Sequence, residues 1–286
     1  DELDDKQFSA VVDTLLDRLA RLDVHIGRQD LESAEVRAIH YSKNIELTDG
    51  YSSQYVISEL GKVNLNKRFD LTKTRFMNDG QSLYFYTKAH SFVVYDKIAD
   101  LVKNSKRAID KDQTAYQMSL FAPLKETREI LRLEIRLSEK RKMNALFKKL
   151  GLPENPNFKE VFSTVKSKAV VNHYWDTMIE KNSLLLFSHS LTAKDLLKQI
   201  LIACKKARGR TAVYLTGLLL LAREGNGLRE LRATLAKRIG DRLWYRVCAD
   251  LTETTKGLNK LRPREWYDQV KKVLESYQPY HLPCKE

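Results

Sequence analysis

The segment EILRLEIRL, residues 129 to 137, alternates without a break: Leu131, Leu133, Ile135 and Leu137 fall on one parity, Arg132, Glu134 and Arg136 on the other. Successive side chains of a strand point to opposite faces, so a period of two demands a sheet with one apolar and one polar side. A helix of period 3.6 would scatter the same leucines around its circumference.

Two short β segments precede it. QSLYFYTK and SFVVYDK are separated by Ala89 and His90, a spacing that predicts a hairpin or sharp bend. AEVRAIHYSKNIEL, from Ala34, has the β-branched and aromatic content of another strand. FSAVVDTLLDRLARL (Phe8 to Leu22) has helical apolar spacing, and SSQYVISELGK is a helix with Ser at its N-cap and Gly61 at its C-cap.

Beyond Pro153 the periodicity is almost entirely helical, and GLPENPNF (Gly151 to Phe158) punctuates the change. The expected architecture is therefore α+β: an antiparallel sheet with helices on its apolar face in residues 1–152, and an all-helical domain in 153–286. At 286 residues two domains are an ordinary outcome. The run AVYLTGLLLLA (Ala212 to Ala222) is about half the ~20 residues of a membrane-spanning helix, which predicts a buried helix and no membrane.

The chain opens on DELDDKQF, with no basic segment followed by an apolar one, so no secretory signal is expected and a cytoplasmic setting is; the absence of Met at position 1 implies a start upstream. Cys204, Cys248 and Cys284 are too scattered for a disulfide framework or zinc site. Residues 1–152 hold 26 basic and 23 acidic side chains, residues 153–286 hold 24 and 14, so most of the net +13 lies in the helical part. That half is the better candidate to face a polyanion, although a solvated basic face gives the same count.

Strand parity gathers candidate chemistry on the polar face: Val93, Tyr95 and Lys97; Arg132, Glu134 and Arg136; His40, Ser42, Asn44 and Glu46. Such a set could hold a metal and a phosphate. A sheet with one wet face produces the same alternation with no site, and tyrosine is a good strand former.

The wording of these segments goes further. GQSLYFYTKAHSFVVYDKIADL followed by LRLEIRL and SEKRKMNALFKKLGLP resembles the single-tyrosine rolling-circle replication initiators of the filamentous-phage gene II/X family and its plasmid relatives. VRAIHYSKNIEL and the helix after it resemble the family's upstream strand and helix, and TAVYLTGLLLLAREGNG with DRLWYRVCADL its C-terminal helices, so the likeness spans most of Phe8 to Leu251 as spaced short motifs.

The resemblance implies site-specific nicking and rejoining of single-stranded origin DNA through a 5′-phosphotyrosine on Tyr95, with host helicase and polymerase as partners and a homodimer possible. It implies a divalent metal, Mg²⁺ or Mn²⁺, on Glu134 and His40, with Asn44 or Glu46 able to supply an oxygen. His40 stands where family members usually carry an aspartate, which favours Mn²⁺ over Mg²⁺. A phenol of pKa about 10 is roughly one part in a thousand ionised at neutral pH, so its attack needs help. Lys97 would lower that pKa, while Arg132 and Arg136 would clamp phosphates or simply pair with surface acids. In the basic half, GLLLLAREGNGLRELRATLAKRIGDRLWYRVCADL places Gly225 and Gly227 in a turn and Arg229, Arg232, Lys237, Arg238, Arg242 and Arg246 after it. This reads as a helix-turn-helix on duplex origin DNA or as an ordinary packing unit, with Trp244 and Tyr245 in its core. A non-catalytic DNA-binding regulator shares that half and needs nothing at Tyr95.

Overall fold

The computed structural model describes residues 2–63, 74–77, 80–102, 128–180, 192–204, 208–224, 227–235, 238–258 and 265–281. The lysine-rich stretch 103–126, Gly225, Lys237 and Cys284 lie outside the described residues, as does the side chain of Arg229.

The protein is α+β. Among the described residues five strands, β1 (Ile39–Leu47), β2 (Thr74–Met77), β3 (Ser82–Tyr86), β4 (His90–Asp96) and β5 (Glu129–Leu137), form one antiparallel sheet in the order β1-β5-β4-β3-β2. The predicted bend between β3 and β4 is a tight hairpin in which the Thr87 amide donates to the His90 carbonyl at 2.8 Å. Strand β2 carried no recognisable pattern in the sequence.

Parity holds across the sheet. Tyr41, Ile45 and Leu47 of β1, Leu83 and Phe85 of β3, Phe92 and Val94 of β4, and Leu131, Leu133, Ile135 and Leu137 of β5 all enter one apolar cluster. Helices supply the rest of it: α3 (Ser53–Gly61) with Val56, Ile57 and Leu60, and α5 (Lys140–Lys149) with Met143, Leu146 and Phe147. α7 (Thr164–Met178) adds Val170, Tyr174 and Trp175, and α12 (Glu265–Ser276) adds Trp266, Val270 and Leu274. Ser52 caps α3 by accepting from the Tyr55 amide at 3.2 Å, as its position predicts. Gly61 lies within the last turn of α3, and Lys62 holds the C-cap instead.

A second apolar cluster is wholly helical. It joins Leu196 and Ile200 of α8 (Ala193–Ala203), Leu215 and Leu219 of α9 (Gly209–Arg223), Leu228 of α10 (Leu228–Leu235), and Trp244, Val247 and Leu251 of α11 (Asp241–Gly257). The expected boundary at 152/153 does not separate the two clusters, because α7 and α12 pack with the sheet. Only the helices between them form the second cluster. The apolar run on α9 is not buried all round: Val213 and Leu221 remain 61% and 54% exposed because its neighbours cover one side. No helix among the described residues is long and apolar enough to cross a membrane.

The clusters touch at Gly227, which opens α10. Its φ of +68° is left-handed, and a Cβ there would stand 2.8 Å from the Lys62 Cβ and 2.9 Å from its Cα, so both backbone and space require glycine. At the sheet edge the Glu2 carboxylate accepts from the buried Lys43 ammonium, the Asn44 amide and the Tyr280 amide, while the Glu2 amide donates to Tyr280. Edge strand β1 is thereby tied to the segment after α12 and shielded from another chain's strand.

Candidate functional site

The face opposite the main cluster is organised in three cross-strand rows. His40, Arg136, Ser91 and Tyr86 make one; Ser42, Glu134, Val93, Tyr84 and Arg75 the next; Asn44, Arg132, Tyr95, Ser82 and Met77 the third. Tyr95 and Glu134 are diagonal neighbours on adjacent strands, a relation within reach of an aromatic side chain. The Tyr95 hydroxyl donates to Glu134 Oε2 at 2.8 Å.

Glu134 is the hub. Arg136 Nε donates to its Oε1 at 2.7 Å, Arg132 Nε lies 3.5 Å from Oε2, and His40 Nδ1 lies 3.7 Å from Oε1. Burial pushes the Glu134 carboxyl up, but the charge of Arg136, the Tyr95 and Arg136 hydrogen bonds and the charge of Arg132 outweigh it and hold the group below the usual carboxylate range. Glu134 is therefore an anion at neutral pH. Burial moves the Tyr95 phenol the other way, above its ordinary value of 10, with Glu134 adding and Arg132 opposing. Partial burial, helped by Arg136, keeps the His40 imidazole below 6.5 against the pull of Glu134.

The expected wet face is thus partly dry: Tyr95, Glu134 and Asn44 are 8%, 6% and 6% exposed. Helix α4 (Lys97–Val102) packs against β4 and β5 beside them. Lys97 is a correction to the parity reading. The strand ends at Asp96, whose carboxylate accepts from the Ala99 amide at 2.9 Å and caps α4, so Lys97 begins a helix and strand alternation no longer places it on the Tyr95 face.

Asn44 Oδ1 accepts from Arg132 Nη1 at 3.4 Å, and Glu46 is engaged by Arg128 at 3.0 Å and the Tyr280 hydroxyl at 3.4 Å. In this arrangement the expected ligands do not make a divalent-metal seat. Tyr95 and Arg136 already occupy lone pairs of Glu134, and an ion bound there would face two guanidinium groups. Among the described residues no three His, Cys, Asp or Glu side chains cluster in metal-binding fashion.

In the helical cluster, Trp244 is core as expected, and the Arg232 guanidinium lies 5.7 Å from its ring centroid. Arg238, Arg242 and Arg246 are exposed. The aromatic and basic participants in the sheet face that were not singled out from sequence are Tyr84, Tyr86 and Arg75. The signal for the two tyrosines was present in SLYFY, where Tyr84 and Tyr86 share one parity against Leu83 and Phe85. Comparison of the chain with family models, curated proteins and solved structures finds no match.

Proposed function

We propose that the protein initiates rolling-circle replication by nicking and rejoining single-stranded origin DNA, with Tyr95 as nucleophile. The observation that carries this reading is the Tyr95 hydroxyl 2.8 Å from an ionised Glu134 flanked by Arg132 and Arg136. A base within hydrogen-bond reach of the proton it must remove meets the geometric condition for general-base catalysis. As the Tyr95 Oη–P bond forms and the P–O3′ bond breaks, Glu134 accepts the phenolic proton and the 3′-oxygen leaves as the primer hydroxyl. The proton on Glu134 then balances the leaving oxygen. Arg132 and Arg136 turn from Glu134 to the phosphate, where a fixed guanidinium fork stabilises the charge that develops.

The second apolar cluster serves in this proposal as the duplex-binding part, with Arg238, Arg242 and Arg246 on phosphates and host helicase and polymerase loading at the exposed 3′-OH. The burial of Tyr95 favours one rival, a non-catalytic DNA-binding protein in which the tyrosine only orders Glu134. A nicking assay on supercoiled DNA carrying the cognate origin separates them. Wild type is expected to give a protein–DNA adduct that survives detergent, and Tyr95→Phe none. Running it with Mg²⁺, with Mn²⁺ and with chelator reads the metal requirement directly. A wild-type protein that forms no adduct under any of the three conditions sinks the proposal.

A further inference from the structure

We propose that Tyr84 and Tyr86 on β3, with Arg75 and Arg136 beside them, form a stacking platform that holds two adjacent bases of single-stranded DNA next to Tyr95. Both rings belong to the polar face and are partly exposed, whereas Tyr95 in the neighbouring row is buried. Each ring is paired with a guanidinium: Arg75 Cζ lies 5.4 Å from the Tyr86 centroid and Arg136 Cζ 5.8 Å from that of Tyr84. Arg136 reaches across β4 because that strand offers only Ser91 and Val93 between them. Met77, 46% exposed in the third row, extends the apolar part of the surface.

The spacing selects the ligand. Residues two apart on a strand stand about 6.5–7 Å from each other, whereas stacked bases of a duplex rise about 3.4 Å. Neighbouring bases meet both rings only when they are splayed to roughly twice their duplex separation, which a single strand permits and a duplex does not. Aromatic faces accept any base, and nearby arginines supply charge for the connecting phosphates, so the platform holds a strand without reading its sequence. Arg136 sits at the junction, touching both Tyr84 and Glu134. A strand lying across the rings thus has a phosphate led toward the Tyr95 hydroxyl.

The inference rests on reading this face as a DNA site, but not on Tyr95 being a nucleophile. It is tested by fluorescence anisotropy of the full chain with a labelled 12-nucleotide oligothymidylate, its duplex and an oligouridylate at one fixed salt concentration. Tyr84→Leu and Tyr86→Leu should each weaken oligothymidylate binding about 5- to 100-fold. Tyr84→Phe and Tyr86→Phe, which keep the rings, should retain it and so separate stacking from misfolding. The anisotropy assay reads strand binding alone, so its result stands whatever the nicking assay returns. Unchanged binding in the leucine variants, an equal loss toward duplex, or oligouridylate bound more tightly than oligothymidylate would each overturn the proposal.

Discussion

The two faces of β5 are built from consecutive residues and cohere by different physics. Leu131, Leu133, Ile135 and Leu137 are fully buried in the apolar cluster, where attraction scales with area and any residue of similar volume serves. Glu134 is nearly as buried, yet it is held by particular atoms: the Tyr95 hydroxyl, Arg136 Nε and, more loosely, Arg132 Nε. A buried charge is tolerated only with such partners, and substituting one atom on this face leaves another group unsatisfied. The strand therefore separates stability from chemistry by parity, and neighbouring substitutions should fail in different assays.

The largest effect is expected at Glu134. Glu134→Gln keeps the shape and can still accept from Tyr95, but it removes the base and the negative charge, so adduct formation should fall about 10²–10⁴-fold. Thermal melting should still show one cooperative transition. Leu133→Ala, one residue away, is expected to cost about 2–5 kcal/mol of unfolding free energy in urea denaturation. The rate of adduct formation per folded molecule should not change. If Leu133→Ala and Glu134→Gln lost activity alike at a temperature where both are folded, the separation by parity would be wrong.

Arg136→Lys is the intermediate case, because it preserves the charge and removes the planar fork. The ammonium can reach Glu134 or a phosphate but cannot present parallel donors to either, so a loss of about tenfold in adduct formation is expected. Urea stability should stay within roughly 1 kcal/mol, since Arg136 is about one-third exposed. A lysine variant as active as wild type would assign Arg136 to ion pairing alone.

The same contrast explains what was legible in the sequence. The apolar face follows from alternation in LRLEIRL, and the members of the polar face follow from it too, since His40, Asn44, Glu134, Arg132 and Arg136 do lie on that side. Parity carries no information about where a strand ends, and so it does not fix the side of Lys97: the Asp96 cap turns the chain into α4 one residue earlier. Nor does it tell which polar side chains are dry. The burial of Tyr95 depends on tertiary neighbours that alternation does not name, Glu134 and Arg132 of β5 and helix α4 among them, and Lys43, on the apolar parity of β1, is closed off by Glu2, Gln278 and the ring of Tyr277. For a related reason the two apolar clusters do not divide at 152/153. Helices α7 and α12 have the same periodicity as those of the second cluster, and only tertiary contact sorts them between two cores.

The smallest expected effect is on acid stability, and it divides the polar face itself. His40 and Glu134 both have folded pKa values below their unfolded ones, so each adds stability above its unfolded pKa that is lost as pH falls through its folded value. The unfolded chain takes up the imidazole proton near 6.5 and the carboxyl proton near 4.5. The His40 contribution should thus begin to fade below pH 6.5, while that of Glu134 should persist until the pH drops below 4.5. His40 is about half exposed, so its limb is shallow. Urea midpoints measured from pH 8 downward should show a slight slope that His40→Asn reduces, followed by a steeper one that Glu134→Gln reduces. A His40→Asn profile parallel to wild type throughout would mean that solvent, rather than Arg136 and the sheet surface, sets the charge of His40, and would leave His40 outside the coupled group of Glu134, its arginines and Tyr95.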